Sequence, residues 1–541
     1  MGHMKGRSTR QGAIAFDRVD VALSALVAFA GAIALLVNLW ARTLAEWDEA
    51  TYAVLARNVV LSGDWLTFHL AGAIRFEPPL YVWTEAVLFR VFGSSEFTAR
   101  VVSALAGIGL LVLTYAIGRK LHGRIVGLLA AAVLLTCYQF VYFARQGMLD
   151  TVLTLCIYLA LFSYVKAKEG DRRWWYVAGA ATAVAIMDKS AGGLIAPLVI
   201  GLTTIVDGSG LRFLRQREVW LASGLAIALV LPWLVAMTLV HGSAFIGNYI
   251  GYRVATRATQ TIDNHGGDLL AYVFVARRFF FPWVYLVPFA LIAYLRSLVR
   301  RDISSPILFV TAVFVFGFFT LVPSKLPWYI IPMWPATCII VAFFLRQAAA
   351  SKWAGMAAIA FAAAAAAFYV PKSLRVVVGL PIPRVLSFGV LSAAIVIGIA
   401  LIIRRRPLAP VLVPLGVAFF FLGAAHYIRP ILQPYQSPES VVAKAAAGSS
   451  HGEQGPLIVL VGTSGNVPST SVWEHVIFYS GRPMQAIYSV AELPGAVGTD
   501  EAHGVLLATA DLPILSGLYQ SEVLVRSDPY AYVVIHSPAP G

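Results

Sequence analysis

The sequence has too little charge to cover a soluble protein. Asp, Glu, Lys and Arg make up 13% of its 541 residues and hydrophobic residues 59%, whereas an average soluble domain is about 25% charged. With a mean hydropathy of +0.77, this excludes an ordinary cytosolic enzyme, a disordered chain and a fibrous protein. It predicts a polytopic membrane protein. Cysteine is scarce too. Cys137, Cys156 and Cys338 lie in apolar stretches, without a CxxC or any metal-ligand spacing. They read as buried small hydrophobes rather than as a disulfide framework or a zinc site. No Gly-Lys-Ser or Gly-Lys-Thr follows the Gly462-Thr463-Ser464-Gly465-Asn466 segment, so it reads as a turn after a strand and not as a phosphate loop. The net charge of +14 would suggest nucleic acid as a partner in a soluble protein. Here Lys and Arg sit in short loops between apolar runs, with no basic–aromatic stripe, which fits an anionic membrane leaflet instead.

What is present is a series of apolar runs. Met1 to Met4 reads as a tag remnant. A basic segment with Lys5, Arg7, Arg10 and Arg18 then precedes the first run, Val19 to Trp40. That run is about as long as the roughly 20 residues a bilayer requires, so it predicts a retained transmembrane helix. Further runs lie near 98–118, 125–142, 150–165, 174–187, 191–206, 219–240, 280–295, 306–322, 328–345, 353–370, 384–403 and 408–427, about thirteen spans in all. The segments Arg119 to Arg124, Lys166 to Arg173, Arg212 to Arg217, Arg296 to Arg301, Arg346 to Lys352 and Arg404 to Arg406 are rich in Lys and Arg. The positive-inside rule assigns them to the cytoplasm and sends the intervening loops and the C-terminus outside. From about Arg429 the chain turns polar, and short strand and helix patterns follow. Gly455 to Gly462, Gly504 to Thr509, Glu522 to Arg526 and Tyr530 to His536 read as strands, and Ser471 to Ser480 as a helix. The expected domains are a cytoplasmic 1–18, a membrane domain 19–428 and a small α/β domain 429–541 outside the membrane.

The loop after the first run carries the chemistry. Of the 27 acids, three fall within four positions at Glu46, Asp48 and Glu49. Ala50 to Leu61 predicts an amphipathic helix lying on the membrane surface, with Asp48 at its start. Asp48 then reads either as a helix cap or as a general base at the water–lipid boundary. Neighbouring helical residues point about 100° apart, so Asp48 and Glu49 cannot both face one substrate atom. One is catalytic and the other structural.

The stretch from Trp47 through Arg57 and Asp64-Trp65 to Phe76-Glu77-Pro78-Pro79 resembles the first outer loop of the GT-C glycosyltransferases, the superfamily of protein mannosyltransferases and aminoarabinose transferases. The resemblance continues through Phe97 to Gly107, Gly118 to Ala131, Phe143 to Thr154, Ala185 to Leu198 and Ser324 to Pro335, in the same order. It extends to the lipid A 4-amino-4-deoxy-L-arabinose transferases of the bacterial inner membrane. It implies a GT-C fold of about thirteen helices with juxtamembrane amphipathic helices. It implies an inverting enzyme that moves a sugar from a polyprenyl (undecaprenyl) phosphate donor to lipid A, a lipopolysaccharide or another envelope acceptor on the periplasmic side. By the same resemblance Asp48 is the base and Asp150 the second acidic position, although Asp150 also reads as a cap of the following helix. Glu77, Tyr52 and Arg75 line the site, and Lys325 and Tyr329 contact the phosphate. Lys325 and Tyr329 stand four apart, on one face of a helix, and also read as a snorkelling lysine and an interfacial tyrosine. Arg253, Arg257 and His265 lie in the loop expected to close over the donor. Lys189 falls between two spans, where Asp188 is the adjacent partner for its charge.

The chain departs from those transferases at Thr51, where they carry Arg, and in its FEPP motif, which lacks their Lys. Asp48, Glu77 and His265 could converge on a divalent cation, although no metal-ligand spacing calls for one. The competing readings are a protein O-mannosyltransferase-like enzyme, a transporter or flippase of a lipid-linked sugar, and a non-catalytic scaffold. A transporter would place its ionisable residues near the bilayer midplane. Here the acids cluster at the outer ends of the spans.

Overall fold

The computed structural model describes residues 16–45, 48–70, 73–249, 251, 260, 266–280, 283–303, 305–348, 436–448, 456–461, 471–482, 484–496 and 502–536. The first helix, α1 (Arg18–Leu36), starts at a capping box: the Asp17 carboxylate accepts from the Asp20 amide and Asp20 returns a bond to the Asp17 amide. Such reciprocal caps satisfy amides that the first helical turn leaves unpaired. After α1 come α2 (Asp48–Ser62), the hairpin β1 (Phe68–Leu70) and β2 (Ala73–Arg75), α3 (Pro79–Phe92), α4 (Glu96–His122), α5 (Arg124–Leu135), α6 (Tyr138–Ala144), α7 (Asp150–Lys168) and α8 (Trp174–Lys189). A 3-10 turn over Ser190–Leu194 leads into α9 (Ile195–Val206), and the short α10 (Gly210–Leu214) precedes α11 (Arg217–Ile246). The helices α12 (Ala271–Phe279), α13 (Val287–Val299), α14 (Ile307–Leu321) and α15 (Trp334–Ala348) complete the described bundle.

Among the described residues six helical segments are long and apolar enough to cross a membrane, or seven if the pair α5–α6, bent by 68°, forms one span. The chain is a multi-pass membrane protein. The expected runs at 280–295 and 306–322 appear as the shorter α13 and α14. Those at 353–370, 384–403 and 408–427 lie outside the described residues. Near the first loop the structure corrects the sequence reading. The helix α2 does not lie amphipathically on a surface. Ala50, Ala53, Val54, Leu55 and Ala56 are completely buried, because apolar residues occur all round it and three elements cover it: α3, β1 and a helix of the C-terminal domain. A helix that is apolar on every side belongs inside a structure.

The bundle is centred on α4, which packs against α1, α5 and α7. Where α4 crosses α5 the backbones nearly touch. A Cβ on Gly127 would fall 2.6 Å from the Tyr115 carbonyl oxygen and 2.8 Å from the Arg119 nitrogen. At the same end Asp20 is fully buried, and its carboxylate accepts from Tyr115 Oη at 3.0 Å, Arg119 Nη2 at 2.5 Å and Arg124 Nε at 2.8 Å. Charge-assisted bonds of this kind are what make an enclosed carboxylate tolerable. They pin α1 to the α4–α5 corner. All three cysteines are buried and unbridged.

The C-terminal domain opens with α16 (Pro438–Gly448) and holds β3 (Leu457–Leu460), α17 (Ser471–Ser480), β4 (Met484–Ile487), β5 (Ala502–Ala508), α18 (Leu512–Leu518), β6 (Gln520–Ser527) and β7 (Tyr530–His536). Its strands run in the order β4-β3-β5-β7-β6, with β3 parallel to β4 and β5, and β7 antiparallel to β5 and β6. The four expected strands and the expected helix are present, and β4 is an addition. The helix α17 leaves the sheet and seats against α2. Arg57 Nη1 donates to the Ile477 and Phe478 carbonyls at 2.8 and 3.2 Å. The Leu44 amide donates to Tyr479 Oη at 2.9 Å, and His475 Nε2 lies 2.6 Å from the Leu44 carbonyl.

The glycine contact makes a clear prediction. Gly127→Leu should leave little monodisperse protein in size-exclusion chromatography after detergent extraction, because α4 and α5 cannot part without opening the core. Gly201→Leu, at a position with nothing within 4 Å, should behave as the native chain.

Candidate active site

Asp48 and Glu49 open α2, and as neighbouring helical residues their side chains diverge by about 100°. Glu49 is 1% exposed. It receives Arg100 Nε at 2.7 Å, Arg100 Nη2 at 3.1 Å, the Gly147 amide at 2.8 Å and the Ala45 amide. Arg100 also donates to the carbonyls of Leu39, Arg42 and Thr43 at 2.7–2.9 Å. A Cβ on Gly147 would stand 2.8 Å from the Ala99 oxygen and 3.3 Å from Glu49 Cγ, so only glycine lets this segment reach the carboxylate. Glu49 is therefore tied into the protein from several sides. Asp48 is half-buried and acts electrostatically on both Lys189 and Glu474.

The second acidic position is not a cap. Asp150 begins α7, but its preceding residue makes no side-chain cap bond. Instead Lys189 Nζ, at the end of α8, donates to Asp150 Oδ1 at 2.5 Å. Since α7 and α8 are joined by a short turn at their other ends, the start of one and the end of the other meet on the same side. Lys189 thus pairs with Asp150 and not with the adjacent Asp188. It also lies 5.7 Å from the centre of the Tyr329 ring. That ring packs on Phe319 at 5.2 Å. Asp48, Asp150, Lys189 and Tyr329 form one cluster.

Lys325 behaves differently from the expectation. It does not share a helix face with Tyr329, because the helical turn there is a 3-10 segment starting only at Pro327. Lys325 Nζ donates to the carbonyls of Phe319 at 3.0 Å, Thr320 at 2.5 Å and Val322 at 2.5 Å, closing the C-terminal end of α14. All three ammonium protons have acceptors within the chain. Arg253, Arg257 and His265 lie outside the described residues, as does Glu46. The ends of their loop rest on the Lys325 segment, where Gly266 bridges Ser324 and Ser324 Oγ donates to the Gln260 carbonyl at 3.2 Å. Tyr52 is buried, edge-on to Tyr81 at 5.6 Å, Glu77 is buried at the start of α3, and Arg75 is exposed at the end of β2. Among the described residues no three His, Cys, Asp or Glu side chains converge as metal ligands would.

Below the cluster, α3, α4, α7 and α8 enclose a groove of about 350 Å³, lined by Leu80, Tyr81, Val102, Leu105, Val152 and Asp188 among others. It is apolar apart from the Tyr81 and Thr84 hydroxyls and Asp188. Neither Asp188 oxygen has a hydrogen-bond partner among the described residues. Two residues at this site escaped the sequence reading. Arg100 sits in the Phe97 to Gly107 motif, where nothing marked it as the partner of Glu49. Glu474 arrives from α17 some 400 residues away. Burial, with a smaller contribution from Asp48, holds its carboxyl above the usual range.

The buried pair supplies a test. Arg100→Met leaves the Glu49 carboxylate without its cation, and breaking a buried pair typically costs about 3–5 kcal/mol. Thermal unfolding in detergent should show a clear fall in Tm. Arg100→Lys should recover part of it.

Comparison with known proteins fits this geometry. The family model for dolichyl-phosphate-mannose-protein mannosyltransferase matches residues 76–235. The undecaprenyl phosphate-alpha-4-amino-4-deoxy-L-arabinose arabinosyl transferase 1 of Sodalis glossinidius is 27% identical over 329 residues, 58% of this chain and 57% of that one. An enzyme of the same description from Pseudomonas fluorescens is 28% identical over 296 residues, 53% of this chain and 52% of its own length. The chain thus spans somewhat over half the length of the curated relatives it matches. Its fold superposes on the crystal structure of ArnT from Cupriavidus metallidurans bound to undecaprenyl phosphate with a TM-score of 0.74 at 22% identity, covering 95% of this chain and 97% of that one. The archaeal oligosaccharyltransferase AglB from Archaeoglobus fulgidus superposes with a TM-score of 0.52 at 12% identity, over 95% of this chain and 74% of AglB. The chain therefore has the fold of ArnT and is similar in sequence, over somewhat more than half its length, to the aminoarabinose transferases.

Proposed function

We propose that the chain is an inverting membrane glycosyltransferase that moves a sugar from a polyprenyl-phosphate donor to an envelope acceptor, at the periplasmic face of the bacterial inner membrane. The observation that carries this reading is the position of Asp48. It stands at the start of a buried helix, close enough to act electrostatically on both Lys189 and Glu474, while its neighbour Glu49 is held by Arg100. The names of the relatives, which act on undecaprenyl-phosphate-linked sugar, support the donor class.

In the proposed reaction Asp48 accepts the proton of an acceptor hydroxyl. The freed oxygen attacks the anomeric carbon from the face opposite the phosphate. The bond from that carbon to the phosphate oxygen breaks, and the polyprenyl phosphate leaves with the electron pair. Negative charge grows on the leaving phosphate, so fixed cations and hydroxyl donors beside it stabilise the transition state. Lys189 has protons left after its bond to Asp150, and the Tyr329 phenol is the neighbouring donor. Asp150 holds Lys189 in place and Glu49 positions α2. The apolar groove beside Asp188 suits the prenyl chain. Lys325 orders the end of α14 and the segment before Tyr329.

Two experiments test the reading. Asp48→Asn removes the base but keeps an amide able to cap the helix. It should fold and bind undecaprenyl phosphate as the native chain does, while transfer falls by about 10²–10⁴-fold, the usual contribution of a general base. Near-native turnover would leave Asp48 a structural residue. Reporter fusions after Arg172 should be cytoplasmic and fusions after Gly541 periplasmic. Both on one side would separate the C-terminal domain from the site.

A further inference from the structure

We infer that His475 and Tyr479 of the C-terminal domain are positioning residues for the proposed base. Together they hold both backbone polar groups of Leu44, four residues before Asp48, so that the domain completes the active site. This rests on the reading of Asp48 above and names what the C-terminal domain contributes to it.

The segment before α2 is held from two sides. On the inner side Arg100 donates to the carbonyls of Leu39, Arg42 and Thr43 and to Glu49. Leu44 is 2% exposed, and a buried amide and carbonyl both need partners. Here both partners come from α17. The amide donates to Tyr479 Oη at 2.9 Å, and the carbonyl accepts from His475 Nε2 at 2.6 Å. A carbonyl only accepts, so Nε2 carries the proton. His475 is itself 1% exposed, and its ring lies within 13° of parallel to that of Tyr479. Thr43 joins the two sides. Its carbonyl accepts from Arg100, and its hydroxyl oxygen accepts from the Ser437 amide, just before α16, at 3.2 Å.

The hold passes directly into the first turn of α2. Ala45, next to Leu44, gives its amide to Glu49 and takes the Ala50 amide on its carbonyl at 3.2 Å. Asp48 immediately precedes these two residues. The same helix α17 also meets α2 further along, where Arg57 donates to the Ile477 and Phe478 carbonyls. Those carbonyls are among the last four of α17, which have no partner inside the helix. One helix of the C-terminal domain therefore grips α2 at Arg57 and, through Leu44, ahead of its first turn. A general base works only within hydrogen-bonding reach of the proton it takes, and a misplacement of about 1 Å can cost about 10²-fold in rate. Releasing Leu44 leaves a buried amide and carbonyl unpaired and loosens the turn that carries Asp48.

The test is a coupling measurement on the purified full chain in detergent. The probe is a total lipid extract of cells lacking the protein, and the readout is release of undecaprenyl phosphate from its sugar-linked form. Tyr479→Phe removes only the hydroxyl, and His475→Leu removes the Nε2 donor. Combined, they should lower the rate at saturating extract by about tenfold or more, with undecaprenyl phosphate binding little changed. His475→Gln, whose amide nitrogen can still donate to the Leu44 carbonyl, should regain most of the loss. In an Asp48→Asn chain the combined change should have almost no further effect, because residues that act through one group are not additive. A full tenfold fall in that background, or native turnover in the combined variant, overturns the inference. Hydrogen exchange of the native chain tests the hold without any activity, and decides if the variants do not fold. The Leu44 amide should be as protected as those of α17, and rapid exchange at Leu44 with α17 still protected overturns the inference. The outcomes separate the two readings. No release by the native chain refutes the transferase reading, and unchanged release by Asp48→Asn refutes its base. Native release that Asp48→Asn abolishes, with an additive effect of the combined variant, refutes only the positioning by His475 and Tyr479.

Discussion

The pair between Arg100 and Glu49 is the interaction on which the rest of the site depends. An arginine and a glutamate, 6% and 1% exposed along their side chains, hold the first turn of α2 against α4 and against the Gly147 backbone. Desolvated charges survive only when nearly every donor and acceptor is used, and here the guanidinium also ties down the carbonyls of Leu39, Arg42 and Thr43. The segment leading into α2 is thereby fixed. Because neighbouring helical residues diverge by about 100°, fixing Glu49 inward forces Asp48 outward, toward Lys189 and Glu474.

The same rule governs the charges deeper in the bundle. Lys189 would be costly at the end of a span without Asp150, and the pair brings the ends of α7 and α8 together under the Tyr329 ring. Asp20, at the opposite end of α4, is satisfied by Tyr115, Arg119 and Arg124. The two ends thus differ in kind. At Asp20 the arginines close around one carboxylate. At Asp48 the surrounding charges come from separate elements of the chain.

Much of this was legible in the sequence. The apolar runs, the acid cluster after the first span and the ordered motifs led to a GT-C fold, and the alternation of short patterns after residue 455 led to the sheet domain. Periodicity is local, and so those elements could be read directly. What escaped was non-local. Nothing within Asp150 to Lys189 shows that these two pair across a helical hairpin, so the neighbouring Asp188 looked the natural partner. Lys325 was read by its spacing to Tyr329, but Pro327 delays the helical turn and frees the lysine to reach back to α14. The burial of α2 depends on α17, which arrives only after the whole membrane domain, and Glu474 comes with it.

The central claim is that the donor phosphate sits where Lys189 and Tyr329 face Asp48. A cryo-electron microscopy map of the Asp48→Asn chain with undecaprenyl phosphate tests it most directly. The account predicts phosphate density within hydrogen-bonding reach of Lys189 Nζ and Tyr329 Oη, with the prenyl chain entering the groove beside Leu80, Val102 and Leu105. Phosphate bound instead at the Arg119–Arg124 end, with that groove empty, would contradict it.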